Sequence, residues 1–311
     1  MSLQTAAYQA VQRDLTYMFE DAAEAATPYH PELAMMIPST SADEKYGWLG
    51  ASPGMREWLG AREFKQLRAA DYTLKNKHWE SSEEFEKNDV DDDRVGGFKT
   101  RIGNLADEAA YHPDELLFDI ANAGNTLPCF DGQFFFDTDH LWGDSGVQSN
   151  DLSFASGSPT SPTPAEFKDS FHAALINMLG LKNDQGKYYI RPRVGKLGSL
   201  VCTVPLNMYE AAAKAFEQVV VVEGGAGVSN FSLERPKIVP VQYMPQGASW
   251  NLYYTGGRLK PFIFQARQPL SFAMKGADDI EFKTLKAMTE ARYNIGFGAW
   301  FAAARSTFTA G

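Results

Sequence analysis

Apolar and polar residues follow several different rhythms along this chain. From Tyr8 to Phe19 the apolar positions return on one face, as in a short amphipathic helix. The stretch Ala26-Thr-Pro-Tyr-His-Pro31 ends it, because each proline removes a donor and restricts the residue before it. A second loose stretch, Pro38 to Ser41, leads to Trp48 and Leu49. Residues 1–50 therefore read as an arm that must find its burial against another surface. Between 51 and 90, Trp58, Phe64, Leu67, Tyr72, Leu74, Trp79 and Phe85 are scattered among many charges. From Asp71 to Glu80 the pattern alternates loosely, as in an extended strand. A hairpin with about 18 residues per limb reaches roughly 50–60 Å. Such a projection is poorly stable alone and needs a neighbour. The acidic cluster Asp89, Asp91, Asp92 and Asp93 suits either a helix N-terminus or a solvated charge run.

Helical spacing then takes over. Phe98, Ile102, Leu105, Ala109, Leu116 and Ile120 recur at three- and four-residue steps, one face of a long helix over about 92–123. Pro113 is expected to kink or briefly break it, and Gly124-Asn125 to stop it. Residues 126–163 are turn-rich and end in a Ser/Gly/Pro linker. Thr163, Pro164 and Glu166 form a capping box with proline at the first helical position, followed by the stripe Phe167, Phe171, Leu175, Met178 up to Gly180. A buried strand over Leu200–Val204, a helix from Pro205 through Phe216 and a strand over Val219–Val222 indicate a small α/β layer. Trp250, Leu252 and Tyr254 alternate before Gly256-Gly257, and Phe262 and Phe264 after it, which predicts a hairpin over 249–265. There is no internal repeat and no low-complexity tract.

Composition narrows the functions open to such a chain. Its 311 residues, 44% apolar with 13 Tyr and 21 Phe, are enough for a packed core. A net charge of −10 argues against a protein whose main task is gripping nucleic acid. Cys129 and Cys202 are read as buried free thiols in a reducing compartment, their spacing making neither a metal site nor a disulfide framework. Gln12, Arg13 and Asp14 break any signal-peptide core, and Gly296 to Ala304 falls far short of a membrane span, so a soluble, cytoplasmically made chain is expected.

Catalytic chemistry finds little support. Asp137-Thr-Asp-His140 offers metal-ligand types, yet lacks a recognisable partner pair, and Asp and His populate tight turns through their own backbone. Gly224-Gly-Ala-Gly227 does not give G-x-G-x-x-G and reads as a mobile loop. Walker-type, C-x-x-C and H-E-x-x-H motifs are absent from the sequence. His30, His78, His112 and His172 are scattered.

Several stretches, taken in order, resemble the major head subunit of Mu-like phages. They are Tyr46-Gly-Trp-Leu-Gly50 with Pro53 to Arg62, Tyr72 to Glu80 continuing to Asp89–Asp93, and His112-Pro-Asp-Glu-Leu116. Phe130 to His140 with Ser149-Asn150, Leu259 to Gln265 and Ala291 to Gly296 complete the series, while 181–245 match only by pattern. The resemblance implies an α+β chain with the tailed-bacteriophage major capsid fold. Its parts would be an N-terminal arm (1–50), an extended E-loop (51–90), a peripheral domain with a long spine helix (91–159), an axial domain (160–255) and a return to the peripheral domain (256–311). It implies no enzyme activity, no cofactor and no metal. Copies would interlock through arm and E-loop, with Trp58, Arg62, Tyr72, Trp79 and Phe85 as inter-subunit contacts. The partners would be further copies in hexamers and pentamers, with scaffold and portal proteins. The shell would enclose DNA without reading its sequence or touching a membrane, assembling in the host cytoplasm and ending as the virion capsid. Three rivals accompany this reading: a protein-packaging or domesticated prophage shell, a metal-dependent hydrolase on Asp137, Asp139 and His140, and a monomeric binding module using an acidic face.

Overall fold

The computed structural model describes residues 3–46, 72–86, 95–191, 199–217, 220–223, 226–229, 235–276 and 284–311. Trp58, Arg62, the Asp89–Asp93 cluster and Gly224-Gly225 lie outside the described residues. Among the described residues, no helix is long and apolar enough to cross a membrane.

Helix α1 (Leu3–Ala25) stops where the prolines begin, and a single turn α2 (His30–Leu33), with Pro31 in its first turn, redirects the chain into strand β1 (Ala34–Pro38). Strands β2 (Asp43–Lys45), β3 (Thr73–Lys75) and β4 (Lys77–Glu86) follow, then the long helix α3 (Val95–Asn122). At about 1.5 Å per residue this helix is roughly 42 Å long. The break expected at Pro113 does not occur: the helix runs through it. Packing on both sides outweighs the lost backbone bond, with Ile102, Leu105 and Ala106 buried before the proline and Leu117, Phe118 and Ala121 after it. A 3-10 turn, Ala123–Asn125, ends the helix at the expected Gly-Asn stop.

Two sheets organise the rest. The first has the order β1-β13-β14-β4 and is built around the long strands β13 (Phe262–Gly276) and β14 (Thr284–Phe297). Its inner face alternates Leu285, Ala287, Thr289, Ala291, Tyr293 and Ile295, all buried, with more exposed residues between them. Pro269 has no N–H to give the ladder, and the register shifts on either side of Gln268, next to it. The second sheet has the order β11-β8-β12-β15-β7, from β7 (Asp151–Ser156), β8 (Leu200–Val204), β11 (Lys237–Pro240), β12 (Ser249–Tyr254) and β15 (Ala303–Ala310). Helix α4 (Pro164–Gly180) opens on the expected capping box and packs Phe167 and Phe171 against Trp250 of this sheet and Phe216 of helix α5 (Tyr209–Glu217). The helix expected from Pro205 starts as a 3-10 turn and becomes α-helical at Tyr209.

Four expectations need correcting. The hairpin over 249–265 does not form: β12 pairs with β8 and β15, β13 pairs with β1 and β14, and Thr255 to Pro261 cross between the sheets. The two aromatic alternations thus belong to different layers. Secondly, the expected boundaries at 159 and 256 cut across the second sheet, because β7 and β15 sit side by side as parallel strands inside it. Thirdly, the described residues of 1–90 do bury apolar side chains within their own chain. Leu15 and Phe19 of α1 join Phe85, Ile102, Leu105, Met274, Leu285 and Ala287 in a cluster between α1, α3 and the β13–β14 ribbon. The spacing of α1 carries no information about which surface it covers, and the chain's own ribbon supplies one. Finally, Ala226 and Gly227, read as part of a mobile loop, lie in strand β10 (Ala226–Ser229), antiparallel to β9 (Val220–Glu223).

Arg305, on β15, ties the second sheet to the long helix. Its guanidinium lies 4.3 Å from the Phe136 ring centre, and its Nη2 donates to the carbonyl of Ala121 at 2.7 Å. A cation is thus set against the last carbonyls of α3, where the helix dipole favours it.

Candidate functional site: the β4 face, an acidic groove and the His140 cluster

Strand β4 carries two of the residues first assigned to subunit contacts, Trp79 and Phe85. It pairs in register along β14, so Trp79, Glu83 and Phe85 turn toward the chain's own interior while His78, Glu80, Ser82 and Glu84 face out. Phe85 is 4% exposed, inside the cluster that holds α1, and Arg101 lies over its ring. It has no area to offer a neighbour. Trp79 is half-buried: its indole N–H donates to the carbonyl of Tyr293 at 3.1 Å and its ring meets His112 edge-on at 4.5 Å. His112 in turn lies 2.6 Å from the Tyr293 hydroxyl, and burial holds its pKa below the usual value. Tyr72 accepts the N–H of Phe297 through its hydroxyl, and burial raises that phenol to about 12. The structure therefore brings Tyr72, Trp79 and Phe85 onto the first sheet as packing residues.

A surface absent from the sequence reading lies on the other side of α3. Asp107, Glu108, Tyr111, Asp114 and Glu115 form one wall of an open groove of about 670 Å³, and Leu206 and Pro240 to Tyr243 form the facing wall. Asp114 is already engaged, accepting the backbone N–H groups of Tyr29 and His30 and bonding the His30 ring, which fastens the turn after α1 to the long helix. Asp107, Glu108 and Glu115 give the groove its acidic character. Periodicity could not have revealed it, because its two walls are about 130 residues apart in sequence.

The Asp137-Thr-Asp-His140 stretch divides in two. The Asp137 carboxylate accepts the N–H groups of Thr138 and Phe134, the turn geometry expected of it. Asp139 lies beside it, and that proximity raises the Asp139 pKa. The His140 ring points elsewhere, into the core. It stacks flat on Trp300 at 3.8 Å, with Nδ1 2.8 Å from Asp131 Oδ2 and Nε2 3.2 Å from Asn150 Oδ1. Asp137, Asp139 and His140 thus form no common ligand set. Cys129, read from sequence as an isolated thiol, instead donates to the other oxygen of Asp131 at 2.9 Å. Burial pushes its pKa up.

The family profile described as "Mu-like prophage major head subunit gpT" matches residues 8–163, half of the chain. The Mu-like prophage FluMu major head subunit of Haemophilus influenzae is 38% identical over 122 residues, 39% of this chain and 40% of that protein. The major capsid protein of Escherichia phage Mu is 36% identical over the same length. The matched segment thus spans about two fifths of these relatives. Among solved structures, the procapsid of bacteriophage JBD30 superimposes with a TM-score of 0.59 at 26% identity, covering all of this chain and 77% of that one.

Proposed function

This chain belongs to the family of Mu-like prophage major head subunits, and from that premise we propose that it is the shell-building subunit of a phage head, acting by geometry rather than catalysis. The supporting observation is the likeness to the JBD30 procapsid over the whole chain, at an identity above that of a shared fold alone. On this reading the ribbon of β13 and β14, backed by α1 and α3, is the rigid peripheral part. The β11-β8-β12-β15-β7 sheet with α4 and α5 is the axial part, and residues 51–90 are the E-loop that reaches a neighbour.

That segment suits the acidic groove. Between 51 and 70 it carries Arg56, Arg62, Lys65 and Arg68 against Glu57 and Glu63. The groove walls add Asp107, Glu108 and Glu115. Complementary charge of this kind guides approach and register more than it adds affinity, which fits a contact repeated in every copy. Trp58 and Arg62 remain the proposed contact residues, and the exposed edges of Tyr72 and Trp79 border the same strand. The further partners are scaffold and portal proteins, with DNA enclosed by a surface that does not read its sequence. The end state is the virion capsid, assembled in the host cytoplasm.

The test is sedimentation of the purified chain, alone and after co-expression with its scaffold protein. Particles of megadalton mass built from this chain support the proposal. A monodisperse monomer under both conditions refutes it.

A further inference from the structure

The cluster around His140 has a geometry that a shell subunit does not require. The side chains of Asp131 and His140 have no exposed area, and Asn150 is fully buried beside them. Asn150 decides which ring nitrogen carries hydrogen. Its amide nitrogen faces two carbonyls, Phe135 O at 2.8 Å and Trp300 O at 3.2 Å. Its oxygen is therefore the atom that accepts from Asp137 N and meets His140 Nε2. Nε2 must be a donor. A neutral imidazole then turns the bare lone pair of Nδ1 toward the Asp131 carboxylate at 2.8 Å. Two lone pairs facing one another in a dry interior repel, and a positive charge between them would relieve that repulsion.

The structure assigns that charge to a divalent transition-metal ion, zinc by ligand type, held by Cys129 Sγ, Asp131 and His140 Nδ1. These ligand atoms all lie within 4.8 Å of one another, and they are the only such group of His, Cys, Asp and Glu among the described residues. Thiolate, imidazole and carboxylate are together the donor set that zinc takes. With metal–sulfur distances of about 2.3 Å and metal–nitrogen or –oxygen distances of about 2.0 Å, the two close contacts to Asp131 must open slightly as the ion enters. Each ligand already has its outer support. Nε2 donates to an amide oxygen held by two further bonds, which fixes the ring as outer partners of metal-bound histidines do. The N–H of Gln133 donates to Asp131 Oδ1. Cys129 and Asp131 stand in one tight turn, closed by the Gly132 N–H to Cys129 carbonyl bond, with Gly132 at φ +88°. The thiolate and carboxylate cancel the two positive charges of the ion, so the core gains no net charge. Binding releases the thiol proton to solvent. A water completes the coordination. The ion pins the turn-rich segment 127–150 to Trp300, beside the junction of the two sheets.

Cobalt substitution tests this on the full chain, independently of assembly. The protein is stripped with chelator under reducing conditions and titrated with Co²⁺, then with Zn²⁺. One equivalent of cobalt should give a thiolate-to-cobalt charge-transfer band, which zinc displaces. Zinc should also raise the thermal midpoint by several degrees. The band should disappear in Cys129→Ser, and in His140→Gln metal affinity should fall at least tenfold. The wild-type spectrum needs no variant to fold. No charge-transfer band in the wild type, or a band unchanged in Cys129→Ser, overturns the proposal.

Discussion

Replacing Trp79 separates packing within the subunit from contact between subunits. The residue was first assigned to a neighbour's surface, and in the folded chain it is half-buried on the inner face of β4. Full burial makes an aromatic-to-alanine change cost about 3–5 kcal/mol. For a half-buried indole the packing loss is about half of that. Losing the N–H donated to Tyr293 adds about 1 kcal/mol. Trp79→Ala should therefore destabilise the dispersed subunit by about 2–4 kcal/mol, and Trp79→Phe, which keeps a ring against His112, by about 1 kcal/mol. Equilibrium urea unfolding of the unassembled chain, followed by far-ultraviolet circular dichroism, reads both. Particle yield should then fall in the same order, as a consequence of lost fold. An unchanged unfolding curve with collapsed particle yield would refute this reasoning and return Trp79 to the interface.

Other outcomes follow from the same packing. Arg305→Ala should cost about 2–4 kcal/mol in the same unfolding assay, since the buried oxygens of Ala121 and Asn251 lose their donor. Arg305→Lys should recover little of it, because an ammonium cannot reproduce the fork that meets both Ala121 and Asn251. At the start of α4, hydrogen bonds from the Thr163 and Gly157 backbone and the Thr163 hydroxyl hold Glu166 at a pKa of about 2. A folded pKa below the unfolded one means that its stabilisation is complete above about pH 4.5 and is lost as pH falls toward 2. The stability gap between wild type and Glu166→Gln, up to about 1 kcal/mol at neutral pH as for other helix caps, should close over that window in acid unfolding experiments. Reversing charge at Arg62 and Arg68 should lower particle yield while leaving the unfolding midpoint of the subunit within about 0.5 kcal/mol. An equal loss of stability would place those side chains inside the fold.

Local chemistry was legible where it involves near neighbours. The Thr163 cap, the Phe167–Met178 stripe, the α3 face and its Gly124 stop all act within one or two turns, and all four appear as expected. The resemblance to Mu-like head subunits was legible too, from short stretches in a consistent order. Partner choice was not. The alternations at Trp250–Tyr254 and Phe262–Phe264 are equally good strands, and nothing local says that they enter different sheets. Likewise the amphipathic face of α1 shows that it must cover something, without distinguishing its own ribbon from a neighbour's. Cys129 looked isolated because its companions are chosen by the turn at Gly132 and by the inward rotation of the His140 ring. A sequence signal existed in Cys-Phe-Asp131 lying nine residues before His140, but that spacing matches no common metal motif.

The central claim is that copies of this chain close into a shell. Cryo-electron microscopy of particles purified after expression with the scaffold protein tests it most directly. The expected reconstruction is a closed wall with six-fold and five-fold rings, in which the E-loop proposed over 51–90 reaches the adjacent copy. A sample holding only dispersed single chains, or a wall in which that segment folds back onto its own subunit, would contradict it.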